Sequence, residues 1–420
     1  MPNAEAVRIA VVGGGAAGLF AAGVACAQGA SVTVYEHMPK PGAKLLITGK
    51  GRCNVTNNCD RDTFLSSVNT NPRFLYSALA ALTPQDTMRF FEELGVPLKT
   101  ERGRRVFPVS DKAGDILSAL RRHAKDAKIV HRHVERLLAE NGEIRGVVTD
   151  REEYYDAVIV ATGGASFPLT GSDGSGYKLA REVGHTVTPI MPSLVPLESE
   201  DPVCPAMQGL SLKNVRLTLR EEGGRIFYSD FGEMLFTHFG ISGPLVLTGS
   251  ARVREADFDR LVAEIDLKPT LDEKTLDARL LSELTAHAKK DAVNLMAALL
   301  PQMMILPFLS RVGIDPRKKA YEIGRQERLA ILHTLKHFTV KINAFRPLKD
   351  AIVTAGGVSV QEIHPKTMES KLIRGLYFAG EVIDVDAYTG GYSLQIAFST
   401  GYLAGLHSAT DNEKRGILHV

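Results

Sequence analysis

Cysteine is scarce in this 420-residue chain, with four residues at positions 26, 53, 59 and 204. None forms a CxxC pair or a zinc-ligand spacing, so neither a metal knot nor a thioredoxin-type dithiol is expected, and a reduced, cytoplasmic setting fits. Net charge is slight, at +2, and no long basic block is present. That balance favours no nucleic-acid partner. A long apolar run is missing too. The most apolar later stretch, NLMAALLPQMMILPFL at 294–309, is interrupted by two prolines and a glutamine. It is too short for a bilayer and reads as buried helix in a globular domain, without membrane contact. The opening MPNAEAVRIAVVGGG runs straight into a strand, so no signal peptide is expected. His131 and His133 lie two apart without a partner carboxylate or cysteine, and no metal site is expected there.

Glycine, by contrast, is plentiful, at 38 residues. Residues 7–36 read VRIAVVGGGAAGLFAAGVACAQGASVTVYE: an apolar strand, a glycine turn, a small-residue helix, a second strand and an acid. Gly13, Gly15 and Gly18 stand in GxGxxG spacing, suited to a tight turn, close approach of a pyrophosphate and close helix–strand packing. The unpaired N–H groups of the following helix start suit phosphate. Glu36 can accept from both ribose hydroxyls of an adenosine and disfavours a 2′-phosphate, which points to FAD or NAD rather than NADP.

Beyond Glu36, KGRCNVTN (50–57) packs glycine, arginine, asparagine and threonine into one loop. Its backbone N–H groups, the Arg52 guanidinium and the Asn54 amide can surround a cofactor; Lys44 is a second cation nearby. Residues 72–126 read as helices, with Thr83 and Pro84 as an N-cap and first-turn proline. Arg102, Arg104 and Arg105 read first as a solvated face, with contact to an anionic substrate or to the cofactor phosphate as the alternative. KIVHRHV is expected as a strand, a hairpin turns at Asn141-Gly142, and DAVIVATGG is a buried strand. That last strand puts Thr162 and Gly163 at the carboxyl end of a parallel sheet, where ligands sit in open α/β folds. Asp173, in GSDGSG, is either part of a phosphate cradle or a helix cap.

From about residue 192 the pattern turns to short alternating strands with a hairpin at Glu222–Gly224, and then to helices. After 341 the earlier style returns. The strand GLYFAGE ends at Gly380-Glu381, and Gly390-Gly391 opens the small-residue helix GYSLQIAFSTGYLAGL. That helix start could stabilise negative charge on a reduced flavin. Glu381 and Asp384 or Asp386 are therefore expected toward the ribityl chain instead. Cofactor elements divided between two ends of the chain argue against a plain NAD dehydrogenase. A flavoprotein disulfide reductase would carry a second GxGxxG and a reactive cysteine pair. Cys53 and Cys59 are near neighbours, yet Cys53 lies within the proposed cofactor loop.

The combination of GGGAAG (13–18), Lys44 through TGKGRCNVTN (48–57), THFGISGP (237–244), TAGGV (354–358) and YFAGEVIDVDAYTGGYSLQIAFSTG (377–401) resembles the HI0933-like flavoproteins over nearly the whole chain. The resemblance implies an α/β fold: a Rossmann-type FAD-binding domain split by an inserted β-rich domain, with a small helical domain. It sets the FAD-binding parts at 1–192 and 341–420, the β-rich insert over the flavin at 193–268 and about 330–340, and the helical domain at 269–329. It also implies the diphosphate at Gly13, Gly15, Ala16 and Ala17, the adenosine ribose at Glu36, and the adenine against the Val134 backbone. Arg52, Cys53 and Asn54 would lie near the cofactor, and Gly391, Leu394, Gln395 and Ile396 by the isoalloxazine. Members of the family are described as aminoacetone oxidases and as bile-acid reductases.

The expected function is hydride transfer between a small organic substrate and flavin N5, with NADH or NADPH as a transient donor. Lys44 and Tyr388 are the candidates on the substrate side. An oxygen-dependent amine oxidase and a non-catalytic flavin-binding or redox-sensing protein are the alternatives.

Overall fold

An apolar strand running into a glycine turn and a small-residue helix favours a parallel sheet covered on both faces. The computed structural model, which describes residues 6–410, contains that sheet. Five parallel strands lie in the order Leu376–Phe378, Ala157–Val160, Arg8–Val12, Ser31–Tyr35 and Lys128–Val130. Ala157–Val160 is buried at every position, as its unbroken apolar run requires. Val12 stands opposite both Val160 and Tyr35, and Val160 opposite Phe378. The strands leading into Gly13, Glu36, Ala161 and Ala379 therefore finish together on one edge.

The two ends of the chain are joined a second time through helices. Ala16–Ala27 and Tyr392–Thr410 are built of small residues where they meet. A Cβ at Gly401 would sit 2.7 Å from the Ala17 carbonyl oxygen, and one at Gly405 2.4 Å from that of Ala21. Only glycine lets two helix backbones approach so closely. Phe20, Phe91 and Phe398, all buried, fill the space beside this contact.

One compact unit takes in the chain up to Ser193 and again from Leu348; the other is Leu194–Pro347. The second carries a seven-stranded antiparallel sheet whose long hairpin, Ser211–Glu221 with Ile226–Thr237, turns where the Glu-Gly-Gly signal stands. Helices Glu273–Ala286, Ala292–Met296, Gln302–Val312 and Arg325–Lys336 share one core with that sheet rather than building their own. The apolar stretch at 294–309 is divided between two of them, with Met304, Ile305, Phe308 and Leu309 buried. Among the described residues no helix is long and apolar enough to cross a membrane.

Local signals hold in detail at two places. Thr83 caps the helix Pro84–Glu93 in a reciprocal capping box with Asp86. The hairpin Arg136–Glu140 with Glu143–Val148 turns at Asn141 and Gly142, both at positive φ. One strand is shorter than its pattern suggests. KIVHRHV leaves the sheet after Val130, because the Arg132 N–H bonds back onto the Val130 carbonyl. His131 and His133 consequently lie in a loop, where the His131 ring meets the Met38 carbonyl and the His133 ring packs edge-on against His37.

Candidate functional site

At the carboxyl edge of the parallel sheet, glycine is needed for two opposite reasons. Gly13 (φ +107°) and Gly18 permit contact: a Cβ would fall 2.5 Å from the Ala161 carbonyl oxygen in one case and 1.9 Å from that of Gly13 in the other. Gly15 faces open space, with nothing within 4 Å of an added Cβ. It is the N-cap of Ala16–Ala27 and makes no side-chain cap, so the first-turn N–H groups are left without a side-chain partner beside open space. A helix start of this kind would suit a diphosphate.

Glu36 is buried beside it. Its carboxylate accepts from the Gly14 N–H (3.0 Å) and the Met38 N–H (2.7 Å), which fixes the side chain at the strand end. Val134 is also buried, and no hydrogen bond among the described residues uses its backbone. An adenine edge would satisfy that orphaned N–H and C=O. Two more buried oxygens lack partners, Asn54 Oδ1 and Thr162 Oγ1. The Thr162 hydroxyl is tucked under the helix Ser175–Glu182, where a Cβ at Gly176 would come within 1.9 Å of it. Gly163 takes a positive φ beside Ser172, and Asp173 serves the helix, accepting from the Ser175 N–H. The residues present thus fit a dinucleotide whose adenosine would lie by Glu36 and Val134.

The C-terminal elements complete the edge. Gly380 abuts Ala17, whose Cβ is 2.8 Å from where a Gly380 Cβ would be. Gly391 rests on the Thr56 backbone, at 2.3 Å by the same measure. Gly380 is thus packed against the start of the first helix and Gly391 against the end of the loop at 50–57. The helix opening at Tyr392 follows directly, with Leu394 half-buried and Ile396 buried in its first turns. Gln395 does not face this cleft with its side chain: its amide is wholly committed to Thr56 Oγ1 (2.6 Å), the Leu82 carbonyl and Ser399. What it contributes is fixation of the helix start. Asp386 is likewise buried and accepts from Thr70 (2.6 Å), Asn69 and Ser193. Asp384 accepts from Asn71.

A cleft in this unit is lined by Val353, Thr354, Glu381, Val385, Asp386, Ser393 and Ile396. At its rim Lys44 forms an ion pair with Glu381 at 2.7 Å and donates to Ser166 Oγ at 2.8 Å. Glu381 also accepts from the Thr354 N–H at 2.9 Å. Both side chains are about one-fifth exposed. Lys44 is thus no solvated surface lysine, and Glu381 faces a cation. Tyr388 sits half-buried on the turn before Gly390, its N–H bonded to the Ser67 carbonyl.

The loop at 50–57 divides its residues. Arg52 turns its guanidinium to Glu101 and Asp111 (2.6 Å) over the Phe107 ring, and so spends its charge on carboxylates. Cys53 is fully buried at positive φ, and burial pushes its thiol up to about 12. Cys59 is a buried free thiol shifted the same way by burial, then by Asp60. Thiols of this kind hold almost no thiolate at neutral pH, which leaves no reactive pair. Residues outside any motif share in the positioning. Thr354, Ser166, Asn57 and Asn69 carry structural hydrogen bonds here; Thr354, inside TAGGV, and Asn57, closing KGRCNVTN, had a sequence signal, and Ser166 and Asn69 had none.

A family model described as the HI0933-like protein Rossmann domain matches residues 7–407. A 3-dehydro-bile acid delta(4,6)-reductase of Clostridium scindens is 32% identical over 412 residues, 96% of this chain and 99% of that protein. Ribosomal RNA dihydrouridine synthases are 31% identical in Escherichia coli K12, over 93% of this chain and 95% of that one, and 33% identical in Haemophilus influenzae, over 94% and 97%. Among solved structures, Mycobacterium smegmatis Sdh1 in complex with UQ1 superposes with a TM-score of 0.52 at 15% identity, covering 99% of this chain and 70% of that one. At that identity the likeness is one of fold.

Proposed function

The chain belongs to the HI0933-like family, and on that premise we propose that this FAD-dependent oxidoreductase saturates a carbon–carbon double bond conjugated to a carbonyl, at the expense of NADH or NADPH. The relatives' names support the reading through shared chemistry. A 3-dehydro bile acid with delta(4,6) unsaturation is a conjugated enone, and dihydrouridine is uridine saturated at the double bond conjugated to its C4 carbonyl. Overall, NAD(P)H and one proton are consumed as C=C becomes CH–CH.

The observation that carries the proposal is the diphosphate cradle at Gly15 beside the anchored Lys44–Glu381–Ser166 cluster. FAD, when bound, supplies the two-electron hydride chemistry. The backbone from Gly13 to Ala17 would hold its diphosphate, Glu36 its adenosine ribose and Val134 its adenine, and the N–H groups opening the last helix would serve its ring. Lys44 has three ammonium hydrogens, two of them spent on Glu381 and Ser166. The third is left to donate to the substrate carbonyl oxygen, where negative charge grows as hydride reaches the β-carbon. Tyr388 is the proposed donor of the proton to the α-carbon. Tyr388→Phe is expected to lower kcat about tenfold with FAD retained, since water replaces a phenol only in part; an unchanged kcat removes Tyr388 from the reaction.

The deciding experiment is an anaerobic stopped-flow bleach of the FAD-loaded protein with NADH, NADPH or small amines, followed by an enone or air. Rapid bleaching by a nicotinamide and recovery of colour on adding an enone are expected. Bleaching by an amine with rapid reoxidation by air supports the oxidase instead, and no bleaching with any donor supports a non-catalytic flavoprotein.

A further inference from the structure

Beyond the helix Ser175–Glu182 the chain turns at Gly184, at φ +90°, and carries His185 into the core. The His185 side chain is 0% exposed, and both of its ring nitrogens are engaged. Nδ1 lies 3.2 Å from Glu362 Oε2, and Nε2 lies 2.8 Å from Ser370 Oγ. The ring also packs edge-on against Phe378, with 4.8 Å between centroids.

Glutamate, histidine and serine in this order are the parts of an acyl-transfer triad, but Ser370 is no nucleophile. It is buried, and its Oγ accepts from the Leu372 N–H at 3.0 Å and the Ile373 N–H at 2.8 Å. A hydroxyl has two lone pairs and one hydrogen. With both lone pairs taken, the hydrogen goes to His185 Nε2, which is therefore an unprotonated acceptor. Nδ1 carries the ring's one hydrogen and donates it to Glu362. The bond count at Ser370 thus fixes the tautomer and requires a neutral imidazole.

One ring joins three pieces of backbone. Glu362 Oε2 also accepts from the Thr186 N–H at 2.8 Å, which ties the helix exit to the turn at 360–362. The Ser370 N–H donates to the Leu376 carbonyl at 2.7 Å, and the Phe378 N–H to that of Met368 at 3.0 Å. Leu376–Phe378 is an edge strand of the parallel sheet and runs into Gly380-Glu381. Among the described residues Glu362 is the one ionic partner of the ring. Lys371 is turned to the Gln361 carbonyl, Glu369 accepts from the Gly375 N–H, and Arg374 pairs with Glu143. Arg181, Glu182, His364 and Lys366 are exposed.

A proton on Nε2 would set an N–H against an oxygen whose lone pairs are filled, on a ring that water does not reach. We propose that His185, Glu362 and Ser370 form a proton-released latch, which holds the edge strand Leu376–Phe378 at neutral pH and frees it in acid, loosening the support of Glu381 before the central strands. Burial pulls the His185 pKa below its ordinary value, and Glu362, 23% exposed, offsets this only in part. The open segment therefore takes up the proton first as pH falls. The latch's contribution is complete above the ordinary histidine value of about 6.5 and is lost as pH drops below it.

The test is hydrogen exchange read by mass spectrometry on FAD-loaded full-length protein at about pH 7.5 and about pH 5.5, corrected for intrinsic exchange rates. In wild type, protection over residues 363–378 should fall several-fold at the lower pH, to a ceiling of about 10-fold for one group that titrates near 6.5 when open. Protection over Ala157–Val160 should hold. His185→Asn retains a donor for Glu362 but cannot titrate, so its protection over 363–378 should be lower at neutral pH and equal at both. Glu362→Gln still accepts from His185 and Thr186 while losing the charge that favours an imidazolium. It should match wild type at the higher pH and lose less at the lower one, whereas a merely structural tie would weaken at both. His123, a second buried histidine bonded to the Phe20 carbonyl and lowered by burial, is common to all three proteins, so its effect cancels. Unchanged wild-type protection in acid overturns the latch, as does an equal loss over Ala157–Val160 or a pH dependence that survives in His185→Asn. Should His185→Asn fail to fold, Glu362→Gln decides alone: a loss in acid as large as that of wild type rejects the proposal.

Discussion

Gly15→Val should give a folded, colourless protein. The residue has φ −81° and ψ −165°, extended backbone open to valine, and an added Cβ meets nothing within 4 Å. The cost to the apoprotein is confined to exchanging a tolerated N-cap residue for a poor one, about 1 kcal/mol. That is small against the roughly 5–15 kcal/mol that holds a domain folded. The isopropyl group, however, occupies the volume where N–H groups converge on the diphosphate. FAD affinity should fall by at least about 100-fold, through loss of close backbone approach. Titration with FAD, followed by flavin fluorescence, reads the loss; circular dichroism melting reads the intact fold. Gly18 cannot serve this purpose, because a side chain there collides with the Gly13 carbonyl and the fold itself would yield. A yellow Gly15→Val protein with wild-type affinity would remove the cradle from the account.

Lys44→Met should abolish reduction of substrate while leaving FAD in place. Two effects are combined in this change, and they can be separated. Removing the cation leaves Glu381 beside Ser166 and Thr354 without its counter-charge. For a fully buried pair that costs roughly 3–5 kcal/mol, but these side chains are about one-fifth exposed and solvent screens them. A loss of about 1–2 kcal/mol is therefore expected. Removing the third N–H donor acts on the rate instead. A preorganised donor aimed at growing oxyanion charge is worth about 10²–10³ in kcat. The double variant Lys44→Met/Glu381→Leu should recover most of the lost stability, since neither charge is then stranded. It should recover none of the activity. Thermal melting and single-turnover reduction of an enone measure the two separately. A Lys44→Met protein with wild-type kcat would reduce the pair to a structural tie.

What the amino-acid order settled by itself was local and periodic. The apolar strand, the GxGxxG turn and the acid at 36 specify a parallel sheet with a phosphate-ready helix start, because each depends on residues within a single strand–helix–strand unit. The Thr83–Asp86 capping box and the Asn141-Gly142 hairpin were legible for the same reason. That the stretch after 341 returns to the style of the first was legible too, but its pairing with Ala157–Val160 was not, because composition names no neighbour in a sheet.

Tertiary structure alone decided where polar side chains spend their hydrogen bonds. Arg52 and Gln395 have the chemistry to hold a cofactor, yet each found closer partners, carboxylates in one case and Thr56, Leu82 and Ser399 in the other. Lys44 met Glu381 across most of the chain's length, a pairing no spacing encodes. Arg102, Arg104 and Arg105 are exposed, as their pattern suggested, while the Asn57 amide that ties the Gly103 carbonyl to that of Gly390 was set by folding. A side chain's role is set by which donors and acceptors folding brings within about 3 Å, and that distance is a property of the packed chain.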